Sequence, residues 1–138
     1  MALSYARSNT AASATVWLRR FLALDALVTG VNGLAYLLLS GPVGRLLGVG
    51  QDLVVGLGAG LILYAAAVGW AATRRPAPRP AVQAIVETNL AWTVLSLAAM
   101  VLWFDGLTTA GNVWIPLQAA VVAGFAVLQY TALRGSDA

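Results

Sequence analysis

Two carboxylic acids, Asp25 and Glu87, lie inside long apolar segments of this 138-residue chain. The other acidic residues, Asp52, Asp105 and Asp137, lie at segment ends or in the tail, where water solvates them. An acid inside an apolar segment costs a few kcal/mol on insertion scales and usually marks a functional site. Because two carboxyl groups in a low-dielectric site can act as a general acid and its partner base, we predict Asp25 and Glu87 as catalytic residues.

Further polar and aromatic side chains accompany the two acids. Thr29, Asn32 and Tyr36 follow Asp25 at helical spacing, so the four residues share one face of a helix. Such groups either hydrogen-bond helices together or line a cavity, and we expect a cavity that opens toward the cytoplasm. The predicted substrate-binding residues are Thr29, Asn32, Tyr36, Tyr64, Asn89, Trp92 and Gln118.

The composition limits the classes of protein and of chemistry. Hydrophobic residues make up 60% of the chain and charged residues only 9%, against roughly 25% charged residues in a typical soluble domain. A chain this short could not hide so much apolar surface in a water-soluble fold. The absence of Cys and His excludes thiol chemistry, ordinary zinc sites and His-containing catalytic triads, so we expect neither a metal nor a cofactor.

Four apolar segments must position these residues, at 18–39, 52–73, 81–104 and 113–133. As helices each would be about 31–36 Å long, enough to cross a hydrocarbon core of roughly 30 Å. Backbone groups in lipid must be satisfied within their own segment, which requires helices. We predict an all-α, integral membrane four-helix bundle over residues 17–134. Residues 1–16 form a flexible cytoplasmic tail in this prediction, and residues 135–138 form a second tail.

The arginines predict the orientation. All eight basic residues are Arg, and with four spans only Arg45 falls on one side of the membrane. The other seven mark the cytoplasmic side, which then holds both termini. This distribution predicts a multi-pass protein of the inner (cytoplasmic) membrane, with lipid and a lipophilic small molecule as partners and no nucleic acid.

The small residues bear on helix packing, and the arginines offer an alternative role for the two acids. Gly30 and Gly33 would let another helix approach the first segment closely. The motif Gly56-x-x-x-Gly60 reads as close helix packing, either within the bundle or between protomers of a homo-oligomer. The alternative to a catalytic role for the two acids is ion pairing with an arginine at the segment ends, Arg19, Arg20 or Arg79.

Two stretches, Ala23–Tyr36 and Trp114–Tyr130, resemble small four-span membrane proteins of actinobacteria. In length, span number and intramembrane acids the chain is also similar to drimentine-type membrane-bound indole-terpenoid cyclases of bacteria. That second resemblance is one of architecture and places no catalytic residue. Small multidrug-resistance transporters also have four spans and an acid in the first helix, but the residues around Asp25 differ from their pattern, and the chain has a second acid.

Three functions follow from these observations. The first is a cofactor-independent terpene or meroterpenoid cyclase, an isomerase or lyase in which carboxylic acids protonate an isoprenoid-type substrate. The second is a small proton-coupled transporter of amphipathic cations, with Asp25 or Glu87 as the shared site. The third is a non-catalytic accessory subunit, in which the glycine motif forms the contact with a partner.

Overall fold

The computed structural model describes residues 2–136, and within that range every regular element is a helix. The five helices are α1 (Ala2–Leu38), α2 (Ser40–Leu47), α3 (Gln51–Thr73), α4 (Arg79–Leu102) and α5 (Thr109–Gly135). Four of them, α1, α3, α4 and α5, are long and apolar enough to cross a membrane. Their outer faces carry large apolar side chains such as Leu63 and Val101, which are 74% and 80% exposed. These features are those of a multi-pass membrane protein and confirm the predicted four long apolar helices.

The N-terminal segment differs from the prediction. Residues 2–16, predicted as a flexible tail, continue α1, which begins at Ala2. No Gly or Pro occurs between Ala2 and Thr29, so nothing in the sequence interrupts a helix that is stabilised further along the chain. Met1 and the last two residues of the predicted C-terminal tail, Asp137 and Ala138, lie outside the described residues.

A short helix lies between the first two spans, where residues 40–51 separate the apolar segments 18–39 and 52–73. The segment after Gly41-Pro42 forms α2, because proline is tolerated in the first turn of a helix. Gly48 ends α2 in the left-handed conformation, with φ of +80°. A Cβ atom at this position would overlap the Gly106 carbonyl oxygen, so glycine is required both by conformation and by space. The turn brings α2 against the start of α5.

Small residues bring α1 and α3 into close contact. A Cβ atom added at Gly58 would lie 3.0 Å from the Gly33 carbonyl oxygen, and Gly30 faces Ala65. The seam therefore allows backbone-to-backbone approach, as in other membrane helix pairs. The motif Gly56-x-x-x-Gly60 does not take part in this packing within the bundle, because a Cβ atom added at Gly56 or Gly60 would meet no atom within 4 Å; packing between protomers stays a prediction.

The helices form two pairs that enclose an interior space. α1 packs along α3, α4 packs along α5, and α1 also contacts α5, whereas α3 and α4 meet at only a few points. Fully buried side chains concentrate at one end of the bundle, where Leu22, Val68 and Val82 pack together. The bundle is consequently tight on three sides and loosely closed between α3 and α4.

Candidate functional site

Asp25 is the centre of a hydrogen-bond network inside the bundle. The residue is only 2% exposed, and its carboxyl group accepts three hydrogen bonds from neutral side chains. Oδ2 accepts from Gln129 Nε2 at 2.7 Å and from Asn89 Nδ2 at 3.0 Å. Oδ1 accepts from the hydroxyl group of Thr29 at 3.0 Å. The carboxyl group therefore links α1 with both α4 and α5.

Tyr64 connects α3 to the same network. Its hydroxyl group lies 3.0 Å from Asn89 Oδ1 and 3.1 Å from the carbonyl oxygen of Ile85, so its single proton serves either acceptor. Asn89 Nδ2 also donates to Gln129 Oε1 at 3.0 Å. The Asp25 cluster, defined as Asp25, Thr29, Tyr64, Asn89 and Gln129, thus draws on all four long helices. Among the described residues no buried side-chain nitrogen or oxygen lacks a partner.

A second set of hydrogen bonds fixes aromatic rings further along the bundle. Trp114 Nε1 donates to the Tyr36 hydroxyl oxygen at 2.8 Å, which joins α5 to α1. Trp92 Nε1 donates to Gln118 Oε1 at 2.8 Å, and Gln118 Nε2 donates to the Ile115 carbonyl oxygen at 3.1 Å. The indole rings are held by their polar edges, which leaves their faces free to contact a ligand.

A cavity of about 490 Å³ lies between the Asp25 cluster and these aromatic residues. Its volume falls within the roughly 300–1,000 Å³ that is typical of small-molecule sites. Asp25 and all seven predicted substrate-binding residues line it: Thr29, Asn32, Tyr36, Tyr64, Asn89, Trp92 and Gln118. The helical spacing of the first segment grouped Asp25 with Thr29, Asn32 and Tyr36, and these four residues share the cavity. The role of all seven residues in binding stays a prediction.

Glu87 does not share this cavity. Its side chain is exposed and lines a separate groove between α4 and α5, together with Arg79 and Arg134. Glu87 and Asn89 are two residues apart, so they point about 200° apart around the helix axis, and Asn89 is the one that faces the interior. The structure consequently does not unite the two predicted catalytic acids, and only Asp25 belongs to the cavity.

Arg19 and Arg20, the two arginines nearest to Asp25 in the sequence, contact groups other than its carboxyl group. Arg19 Nε donates to the Ala72 carbonyl oxygen at 3.0 Å, at the end of α3. The guanidinium group of Arg20 lies over the ring of Trp17, 5.0 Å from its centre. Among the described residues no arginine lines the cavity, and no group of three or more acids could hold a metal ion. The alternative of an ion pair between Asp25 and these two arginines is therefore not realised.

Three site residues were missing from the predicted set. Gln129 is fully buried and makes the shortest hydrogen bond to Asp25, and its spacing of eleven residues from Gln118 on one helix face was the available signal. Trp114 and Phe125 line the cavity itself, whereas Gln129 lies behind Asp25 in the hydrogen-bond network. Trp114 lies near a span end, where tryptophan is typical of the membrane interface, so its position concealed its inward orientation.

Asn32 differs from the other polar residues of the cavity. It lies two helical turns from Asp25, about 10 Å along the axis of α1. Within the described part of the chain its amide group takes part in none of the side-chain hydrogen bonds that tie the neighbouring residues together. An amide group in an apolar cavity gains a hydrogen bond when a ligand supplies one, so Asn32 is suited to bind a polar group of a ligand.

No family model matches the chain, and neither the curated proteins nor the solved structures contain a significant match. The functional argument therefore depends on the residues of the cavity and on their geometry.

We expect Tyr64→Phe to lower the free energy of unfolding by about 0.5–1.5 kcal/mol, because it removes the hydroxyl group that ties α3 to Asn89 and Ile85. Unfolding by SDS titration in mixed micelles measures the change. Tyr130→Phe is the control, since Tyr130 is 49% exposed and its ring contacts Arg134 at the edge of the bundle. Equal stability of the two variants would show that the Tyr64 hydroxyl group does not hold the helices together.

Proposed function

We propose that this chain is an enzyme of the cytoplasmic membrane that protonates a lipophilic, isoprenoid-type substrate, with Asp25 as the general acid. The observation that carries the proposal is the position of Asp25, whose carboxyl group accepts three hydrogen bonds, in the wall of a cavity lined mostly by apolar and aromatic residues. Both termini face the cytoplasm in this proposal, as the arginine distribution predicts. The architectural similarity to drimentine-type cyclases points in the same direction.

The hydrogen bonds of Asp25 suit a group that gives up and regains a proton. Oδ2 receives both amide donors, from Asn89 and Gln129, and remains an acceptor throughout. Oδ1 contacts only the hydroxyl group of Thr29, which can donate or accept. When Oδ1 carries the proton, Thr29 serves as an acceptor, and when the proton has left, Thr29 donates. The cluster can therefore stay intact in both states.

The proposed reaction is an isomerisation that starts with proton transfer. The Oδ1 proton of Asp25 moves to an alkene carbon, whose π electrons form the new C–H bond and leave a carbocation on the neighbouring carbon. The π electrons of a second alkene then form a C–C bond to that cation and close a ring. Loss of a proton from an adjacent carbon to the Asp25 carboxylate restores both a double bond and the acid. Product and substrate consequently have the same composition.

The aromatic rings of the cavity support such an intermediate. Faces of Trp92, Trp114 and Tyr36 can stabilise positive charge through their π electrons. The apolar walls exclude water, which would otherwise capture the cation. The indole N–H groups of both tryptophans are already bound to Gln118 and Tyr36, so the rings cannot turn freely.

The same cavity also favours a second candidate function, transport of an amphipathic cation. The specific observation is that Asp25 is the single charged residue among those that line the cavity. A lipophilic cation would find a carboxylate and several aromatic faces there. Uptake of a fluorescent amphipathic cation into proteoliposomes, driven by a pH gradient and lost in Asp25→Asn, would support transport in place of catalysis.

The enzymatic proposal is tested by product formation from linear prenyl alcohols. Farnesol and geranylgeraniol are supplied to three membrane preparations, which contain the unmodified chain, the Asp25→Asn variant or the Glu87→Gln variant. Isomers with the mass of the substrate are then measured by chromatography with mass detection. We expect Asp25→Asn to reduce the rate about 10²-fold or more, the usual range for a lost general acid. Glu87→Gln should keep the rate, because Glu87 lies outside the cavity.

The outcomes separate the alternatives. Equal loss of product in both variants would restore the acid pair as the catalytic unit and contradict the proposal. Equal retention in both would show that Asp25 is not the acid. An accessory role predicts that both variants still bind the partner subunit and that neither membrane yields cyclised product.

A further inference from the structure

We propose that the cavity takes up its ligand sideways from the bilayer, through a portal between α3 and α4, and that the ligand is a linear lipid chain. The proposal deepens the proposed function, on which it rests for the chemical identity of the substrate. Its evidence is the packing of the two helices, and this evidence does not involve proton transfer.

The first argument is that α3 and α4 scarcely touch. Among the described residues the side-chain hydrogen bonds between them come from the Tyr64 hydroxyl group, which contacts Ile85 and Asn89, and their apolar contact lies at the end of the bundle where Val68 and Val82 are buried. Beyond Tyr64 the cavity is lined from both helices, by Gly60 on one side and by Thr88 and Trp92 on the other. Gly60 and Thr88 line the cavity and are exposed, so the cavity reaches the outer surface between the two helices.

The second argument concerns the glycines on the α3 side. Gly56 and Gly60 line the cavity and are at the same time exposed. A Cβ atom at either position would meet no atom within 4 Å, so neither glycine is needed for helix packing within the chain. One turn apart on one face of α3, they remove two side chains from the edge of the gap and leave room for a ligand to pass.

The opposite side of the bundle is held more firmly. α1 and α5 are joined by the Asp25–Gln129 hydrogen bond at one end of the cavity and by the Trp114–Tyr36 hydrogen bond at the other. Opening this side would break both polar links inside the membrane, which is costly. The gap between α3 and α4 is therefore the easier path.

The shape of the interior indicates a chain-like ligand. A second cavity of about 280 Å³ continues from the first toward Leu53 and Trp103, and the two share Leu57, Trp92 and Gln118 in their walls. Together they form an elongated apolar cleft along α3 and α4, with polar groups at Asp25 and Asn32. Such a cleft fits a linear isoprenoid or acyl chain that lies along the helices, with a polar or reactive group near the Asp25 cluster.

Quenching of tryptophan fluorescence by brominated lipid tests the portal. The reference protein keeps the two tryptophans that line the cavity, Trp92 and Trp114, after replacement of Trp17, Trp70 and Trp103 by Phe, so that the Trp114–Tyr36 hydrogen bond is retained. It is reconstituted in phosphatidylcholine vesicles whose acyl chains carry bromine near their middle, and emission is compared with vesicles of unbrominated phosphatidylcholine. We expect strong quenching, because an acyl chain reaches Trp92 through the portal.

Leucine at the two glycines should close the portal. We expect Gly56→Leu/Gly60→Leu to lose roughly half or more of the quenching, whereas the control Gly124→Leu keeps it. Gly124 is also exposed and also has no atom within 4 Å of an added Cβ, but it does not line the cavity. If the double variant fails to fold, Gly60→Leu alone serves in its place. Geranylgeraniol should relieve the quenching of the reference protein as it fills the cleft.

Each outcome decides the proposal. Absent quenching in the reference protein, or equal quenching with and without the leucines, would overturn the portal. Failure of geranylgeraniol to relieve the quenching would overturn the linear isoprenoid as ligand. In Asp25→Asn, brominated lipid should quench the tryptophan emission as strongly as in the reference protein. A variant that loses product formation but keeps this quenching would affect only the proton transfer. Failure of the portal proposal is therefore distinguishable from failure of the proposed enzymatic function.

Discussion

Asp25→Leu is expected to lower the free energy of unfolding by roughly 2–5 kcal/mol, because it leaves several buried donors without an acceptor. Gln129 Nε2 loses its 2.7 Å partner, and the hydroxyl group of Thr29 loses its acceptor. Asn89 Nδ2 retains only its hydrogen bond to Gln129 Oε1.

Asp25→Asn is the matched variant, and we expect a change within about 1 kcal/mol. The side-chain oxygen of asparagine can take the place of Oδ2 and accept from both Asn89 and Gln129. Its NH2 group then occupies the position of Oδ1 and donates to the Thr29 hydroxyl oxygen. The network survives while the transferable proton is lost, so the variant separates folding from catalysis.

SDS titration of both variants in the same mixed micelles measures the difference. A loss in Asp25→Leu as small as that in Asp25→Asn would mean that the Asp25 cluster does not stabilise the bundle. A large loss in both would mean that the negative charge itself is required for stability.

Gly58→Leu is expected to lower the free energy of unfolding by about 1–3 kcal/mol or more, because the seam between α1 and α3 has no room for a side chain. An added Cβ atom would lie 3.0 Å from the Gly33 carbonyl oxygen and from atoms of Tyr36 and Leu37. The backbone oxygen cannot turn aside, so the helices must separate. Tyr36 would move with α1, and its hydrogen bond from Trp114 would weaken.

The control for this substitution is Gly56→Leu on the same helix, half a turn away. Gly56 has no atom within 4 Å of an added Cβ, so the free energy of unfolding should change little. Thermal unfolding followed by circular dichroism in detergent compares the two variants with the unmodified chain. Similar destabilisation by both would argue that leucine disturbs α3 wherever it is placed, and that the seam does not depend on Gly58.

The sequence predicts the spans well, because length and hydropathy suffice for a helix that must satisfy its own backbone in lipid. It also predicts the stripe of Asp25, Thr29, Asn32 and Tyr36, since helical periodicity alone places these residues on one face. All four line the cavity. Spacing within this one helix was thus sufficient to identify residues that line the same cavity.

The periodicity of a single segment does not predict which face of its helix points into the bundle. α4 has polar residues on two sides, and the sequence does not say which side faces inward. Asn89 proves to be the interior residue and Glu87 the exterior one. In the same way, the glycine motif at Gly56 and Gly60 indicated packing, whereas the helix contact forms at Gly58. Rotation of each helix is set by its neighbours, which a single span does not encode.

Incorporation of solvent deuterium tests the central claim, that Asp25 delivers a proton to the substrate. The protein is first equilibrated in heavy water, and a single turnover with a prenyl alcohol that yields product is then analysed by mass spectrometry. The account predicts a deuterium on carbon in the product, because the Asp25 carboxyl group exchanges its proton with water before the reaction, and no product from Asp25→Asn. Product without deuterium would contradict the claim that Asp25 delivers the proton. The claim would also be contradicted if Asp25→Asn still made product with deuterium at the same carbon.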